Sequence, residues 1–208
     1  MKLLIGIPSY DYQHAEFVKC LSALLIHLAK EGVDFDLCIE NGTLVYFARD
    51  KIACKAINRG YTHVLWLDAD MIFQPTILED LLDDGCDFIS GVAHSRRPPY
   101  LSCLFSNMDD LDHLQRFEEY PQDVFEVAGC GFACVLIKTD VLRAVQQRYK
   151  TCFLPEADWG EDLTFCRRAR ALGCKIHADP HVRLGHIGHD VIWPEDCKRY
   201  MDQLQKGG

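Results

Sequence analysis

No apolar run in these 208 residues approaches the roughly 20 needed to cross a bilayer. The opening segment, MKLLIGIPSYD, has only a short apolar stretch before Pro8, too short for a secretory signal core. It reads as a first buried strand, and the expectation is a cytoplasmic protein without a membrane span. Positive charge is also scarce. Lys and Arg total 22 against 31 Asp and Glu, a formal net charge of −9, which argues against the broad basic face of a nucleic-acid binder. An anionic ligand would have to be held locally, by a metal ion, a few arginines or helix N-termini. No CxxC pair occurs among the eleven cysteines, and an odd count without a secretory signal points to reduced, mostly buried thiols rather than disulfides or structural zinc. Repeats, linkers and low-complexity stretches are absent too. With 49% hydrophobic and 25% charged residues, one globular domain is expected.

What is present is a rhythm. Lys2 to Ile7 is a buried strand closed by Pro-Ser, and Phe17, Leu21, Leu24, Leu25 and Leu28 recur at helical spacing before Gly32. Strand Phe35–Ile39, helix Leu44–Asn58, strand Thr62–Leu67, a helix near 76–83 and a strand near 87–90 continue the alternation. Such alternation predicts an α/β fold with a mainly parallel central sheet and helices on both faces, with ligands bound at the carboxyl ends of the strands. Residues 92–125 break the rhythm. A strand over 124–137 interrupted by Gly129 and Gly131, helices near 139–149 and 160–172, short strands at 174–178 and 182–184 and a helix at 194–205 complete the expectation.

Three segments carry candidate chemistry. Asp68-Ala69-Asp70 follows a strand, where alternation turns two carboxylates into one crevice suited to a hard divalent cation; such acids also serve as caps or solvated loops. Glu161 and Asp162 open a helix, where acids are equally ordinary dipole partners. In Arg183-Leu184-Gly185-His186-Ile187-Gly188-His189 the glycines permit close backbone approach and a neutral imidazole is a good metal ligand, although surface or core histidines are as common. His94, His181 and His189 are second-rank ligand candidates. Trp159 and Trp193 are candidates for stacking on a ligand or for packing, and Arg96-Arg97-Pro98-Pro99 is a loop that either closes on a ligand or is a solvated turn.

The order of these segments resembles a GT-A-fold (Rossmann-like) glycosyltransferase. The residues concerned are Ile-Pro-Ser-Tyr-Asp after the first strand, Asp-Ala-Asp near residue 70, Gly-Cys-Gly at 129–131, Gly-Glu-Asp at 160–162 and Leu-Gly-His at 184–186. Trp159 to His189 is similar to the polypeptide N-acetylgalactosaminyltransferases. The N-terminal half, with Phe47-Ala48-Arg49-Asp50 and Leu65-Trp66-Leu67-Asp68-Ala69-Asp70, is more like family 2 and mannan-polymerase-type enzymes. The resemblance implies a metal-dependent transfer of sugar from a nucleoside-diphosphate sugar, UDP- or GDP-linked, to a hydroxyl on a glycan, lipid or protein acceptor. It implies Mn²⁺ or Mg²⁺ held by Asp68, Asp70 and His186, with Asp68 on the metal through water or on the ribose. Pro8, Ser9 and Tyr10 would line the nucleoside pocket, Glu40 would touch base or ribose, and Arg49 the ribose or phosphate. Gly129 and Gly131 would admit the donor sugar, and paired strand glycines also mark bulges. Glu161 and Asp162 would face sugar and acceptor, with Asp162 the general base of an inverting enzyme. Residues 1–91 would form the nucleotide-binding half, 92–190 the donor-sugar and acceptor half, and 191–208 a tail. One departure bears on the nucleobase, since the second strand ends Cys38-Ile39-Glu40-Asn41 where family 2 has an acidic pair.

Three other readings compete. A haloacid-dehalogenase-type phosphatase uses a strand-borne D-x-D, but near its N-terminus and without an Ile72 equivalent. A nucleotidyltransferase would show a Gly-rich basic loop where Ile5 to Gln13 has none. A catalytically inactive nucleotide-sugar-binding module would keep the fold while losing the acids or ligands.

Overall fold

The computed structural model describes residues 1–10, 12–188 and 191–206. The N-terminal half runs β1 (Lys2–Pro8), α1 (Ala15–Lys30), β2 (Asp34–Glu40), α2 (Val45–Asn58), β3 (His63–Leu67), β4 (Met71–Ile72), α3 (Ile77–Asp83) and β5 (Phe88–Val92). Then come β6 (Leu104–Asn107), β7 (Gln115–Arg116), β8 (Phe125–Val127), β9 (Gly129–Cys130), β10 (Cys134–Lys138), α4 (Thr139–Tyr149) and α5 (Glu161–Ala171). The chain closes with β11 (Ile176–Arg183), β12 (Gly185–Ile187), β13 (Val191–Ile192) and α6 (Pro194–Lys206). Among the described residues no helix is long and apolar enough to cross a membrane.

Seven strands form the central sheet in the order β2-β1-β3-β10-β5-β11-β8. β2, β1 and β3 pair in parallel, as do β5 and β11, whereas β10 runs antiparallel to both neighbours and β8 antiparallel to β11. The sheet is mainly parallel, as expected, but the simple β-α-β series is interrupted at its centre. The apolar run Cys134–Ile137 is buried on both faces, so burial alone does not reveal its direction. The anticipated strand over 124–137 is really three, β8, β9 and β10; β9 joins a small sheet with β6 and β7. The two short strands expected at 174–178 and 182–184 are one irregular strand, β11.

Alternation along the strands divides the core. Leu3, Ile5, Leu65 and Leu67 pack with Phe17, Leu24 and Leu28 of α1 and with Leu78 of α3. Leu4, Val64 and Trp66 pack on the other face with Ile52 and Ala56 of α2, Leu142 of α4 and Phe165 of α5. Helices therefore cover both faces. On the second face Phe165 meets Phe153, Phe132 and Phe88 at centroid distances of 4.7, 5.5 and 5.8 Å. These contacts dock the helix that carries Glu161 and Asp162. Phe165→Ala is expected to cost about 3–5 kcal/mol of folding stability in urea denaturation. A loss below about 1 kcal/mol would mean that α5 is held by something else.

Candidate functional site

The carboxyl end of β1 delivers Pro8, Ser9 and Tyr10, and that of β3 delivers Asp68-Ala69-Asp70. Because β10 is antiparallel, its beginning arrives at the same edge, and Asp68 N–H donates to Ala133 O at 3.0 Å. Strand β12 is stitched to β4, and Ile187 N–H donates to Asp70 O at 2.8 Å, which sets His186 beside Asp70. These edges enclose a cleft of about 540 Å³. Tyr10 stands 74% exposed at its mouth.

Asp68 and Asp70 both face the cleft but have different partners. Asp68 Oδ1 accepts from Arg49 Nη2 at 2.8 Å. Burial pushes the Asp68 pKa up, and the guanidinium offsets only part of that. Arg49, on α2, is 3% exposed, lies 3.5 Å from Glu161 through Nε and covers the Phe132 ring at 5.0 Å. Its Nε and Nη1 find no hydrogen-bond partner among the described residues. A buried cationic fork left partly unsatisfied at a cleft wall is costly unless an anion completes it.

Asp70 Oδ2 lies 3.3 Å from His186 Nε2 and 2.7 Å from Arg96 Nη1. Burial alone would raise the Asp70 pKa, but the His186 bond and the Arg96 charge outweigh it and the net shift is downward. The His186 pKa is drawn down by burial and raised further by Asp70 and by the His94 carbonyl, with a net upward shift. His186 Nδ1 sits 2.7 Å from His94 O; a carbonyl only accepts, so Nδ1 carries a proton and Nε2 is the nitrogen facing Asp70. An imidazole oriented in this way by a backbone carbonyl is the usual setting of a metal ligand.

Glu161 and Asp162 start α5 behind Gly160, and both line the cleft. Burial, reinforced by Glu161, pushes Asp162 up to about 6. A Cβ at Gly131 would stand 3.4 Å from Cys103 Cβ and 3.7 Å from Asp162 Oδ2, which places this glycine in the wall beside that carboxyl.

Not every expected residue arrives. Glu40 is outside the lining and lies 3.6 Å from Lys51; its carbonyl meets the segment, accepting from Ser9 N–H at 2.8 Å. Gly129 faces Met108, whose Sδ a side chain there would strike, so its smallness serves packing and not the cleft. Trp159 is 7% exposed beneath Arg167, a core residue rather than a stacking platform, and Trp193 borders a separate groove. The His94 ring shares a 3.1 Å hydrogen bond with the Tyr120 hydroxyl, and burial lowers its pKa to about 4. It acts through its carbonyl. His181 lines the groove that Trp193 borders, and His189 lies outside the described residues. Sequence reasoning missed Cys103 and Phe132, which line the cleft, and the Arg96–Asp70 pair. Cys103 is pushed to about 11 by burial, a neutral thiol in the wall. It comes from the 92–125 stretch, where no periodicity signals it.

No protein-family profile and no curated protein matches the sequence. Solved structures do. A197 from STIV superposes with a TM-score of 0.66 at 18% identity, over 94% of this chain and 92% of that one. UDP-glucose pyrophosphorylase complexed with UDP-glucose superposes with a TM-score of 0.51 at 10% identity over 100% of both chains. A glycosyltransferase involved in glycosylation of the major capsid of PBCV-1 reaches a TM-score of 0.39 at 16% identity, over 69% of this chain and 62% of that one. At these identities the likeness to the first two is one of fold, a Rossmann-like α/β class; the finer likenesses to family 2 and to the N-acetylgalactosaminyltransferases rest on the sequence motifs alone.

Proposed function

We propose that the chain is a metal-dependent glycosyltransferase that moves a sugar from a nucleoside-diphosphate sugar to an acceptor hydroxyl. The carrying observation is the meeting in one cleft of an incompletely satisfied buried guanidinium, Arg49, a carboxylate–imidazole pair, Asp70 and His186, and a carboxyl raised to about 6, Asp162. The fold favours the reading, since one chain of the same α/β class is a pyrophosphorylase complexed with UDP-glucose.

Among the described residues no three His, Cys, Asp or Glu side chains form a closed metal cage. Asp70 and His186 nonetheless supply an oxygen–nitrogen donor pair with an oriented ring, which suits an open site completed by substrate oxygens and water. Mn²⁺ or Mg²⁺ held there would offset charge on the departing nucleoside diphosphate. Asp68 holds Arg49 through Oδ1 and contacts the ribose, or the metal through water. Arg49 grips phosphate, Pro8 to Tyr10 flank the nucleoside, and Gly131 makes room for the sugar. Asp162 takes the proton of the acceptor hydroxyl. Residues 1–91 then form the nucleotide half and 92–190 the sugar and acceptor half. The eleven cysteines are all free thiols, which fits a cytoplasmic enzyme.

Thermal-shift measurements with UDP, GDP and their sugar conjugates test this reading. Stabilisation of about 2–3 kcal/mol is expected near 100 times the dissociation constant, only with Mn²⁺, and not in Asp70→Ala. A shift of the same size without the cation, or one retained by Asp70→Ala, would refute the site.

A further inference from the structure

The oxygen of Asp70 that faces His186 already carries a cation of the protein's own. Arg96 Nη1 is 2.7 Å from Asp70 Oδ2, the atom that His186 Nε2 approaches at 3.3 Å. Arg96 belongs to the loop between β5 and β6, and its side chain is 51% exposed although its tip is engaged. A guanidinium at hydrogen-bond distance and a divalent cation repel each other and compete for one carboxylate oxygen. We propose that Arg96 is the resident counter-ion of Asp70, displaced when the divalent cation binds, and that its released guanidinium then pairs with the donor diphosphate. The proposal rests on the reading of Asp70 and His186 as the cation site.

The local structure provides both a place to go and a fixed pivot. Arg96 borders the main cleft and also an adjoining depression of about 280 Å³ shared with His14 and Arg97. The loop closes on itself, with Ser95 N–H donating to Leu101 O at 2.8 Å and Tyr100 N–H to Arg97 O at 2.9 Å. The Tyr100 ring stands edge-on to Tyr200 of α6 at 5.5 Å, tying the loop's far end to the last helix. A long side chain on an anchored loop exchanges partners by rotamer change, without rearranging the backbone. The exchange makes the empty site a poor trap for free metal. It also couples cation and donor, because a diphosphate rewards the guanidinium that the cation dislodges, and each ligand raises affinity for the other.

Mn²⁺ binding in the absence of nucleotide, read from loss of the free-ion electron paramagnetic resonance signal, separates the outcomes. Arg96→Ala is expected to bind Mn²⁺ about 3- to 10-fold more tightly than the unaltered protein, while Arg97→Ala, which removes the same charge from the same loop, leaves the affinity unchanged. With Mn²⁺ saturating, calorimetry should show UDP or GDP bound several-fold more weakly by Arg96→Ala. Asp70→Ala sets the zero for Mn²⁺ at this site. Equal or weaker Mn²⁺ binding by Arg96→Ala, with Asp70→Ala abolishing it, overturns the counter-ion role and leaves the cation site standing. Tightening of the same size in Arg97→Ala likewise overturns it, as a general charge effect. If neither the unaltered protein nor Arg96→Ala binds more Mn²⁺ than Asp70→Ala, the cation site itself falls and the proposal with it.

Discussion

Asp162→Asn is expected to lower sugar transfer by about 10²- to 10⁴-fold while leaving nucleoside-diphosphate binding within about threefold, the signature of a lost general base. The substitution keeps size and shape but removes the site that accepts a proton. Because water is a universal acceptor, the loss can be read as release of nucleoside diphosphate from the sugar nucleotide that stabilises the protein. The pH profile gives a second readout. Burial and the neighbouring Glu161 raise Asp162 to about 6, so it is ionised and competent above that pH and protonated below it. For the unaltered protein kcat/KM should rise with pH up to about 6 and then level, and Asp162→Asn should lack this limb. Stability moves the opposite way. A carboxyl whose folded pKa is raised disfavours folding once the pH exceeds the unfolded value, and this penalty grows as pH climbs towards 6. Asp162→Asn should therefore be at least as stable as the parent at pH 7, and the parent should gain on the variant as the medium is acidified. Transfer within threefold of normal in the variant would remove Asp162 from catalysis and return it to an ordinary first-turn helix acid.

How much of this was written in the sequence differs element by element. Lys2–Pro8 and His63–Leu67 were legible because buried parallel strands are short apolar runs, and Asp68 and Asp70 were legible because they follow one directly. The amphipathic stripe of α1 identified both the helix and its buried face. The direction of β10 was not legible. A strand buried on both sides lacks the alternation that distinguishes one setting from another, and pairing between β3 and β5 depends on chain path rather than composition. The glycines at 129 and 131 looked equivalent in sequence, yet one backs onto Met108 and the other onto Asp162. Arg96 meets Asp70 through a loop without periodicity, and Cys103 enters the wall from the same irregular region. Long-range pairs of this sort arise when loops are folded over a sheet edge, which no local pattern encodes. His94 was visible as a histidine, but its part is played by a backbone carbonyl that every residue possesses.

Arg49→Lys is expected to weaken nucleoside-diphosphate binding by about 10- to 100-fold, measured by calorimetry with Mn²⁺ present, with little change in thermal stability. The lysine keeps a positive charge for Asp68 and so avoids leaving that carboxylate without a cation, the loss that a neutral substitution such as Arg49→Met would bring. It cannot reproduce a planar fork that holds Asp68 through Nη2 and faces Glu161 through Nε while Nη1, without a hydrogen-bond partner among the described residues, remains for another anion. Burial sharpens the contrast. At 3% exposure water does little to satisfy those nitrogens, so an incoming phosphate oxygen gains a charge-assisted bond at small desolvation cost to the protein. If Arg49 served only to hold α2 against Asp68, Glu161 and the Phe132 ring, the lysine variant would lose stability and keep its ligand affinity. Diphosphate binding unchanged in Arg49→Lys would confine the residue to that structural role and leave the cleft without its phosphate grip.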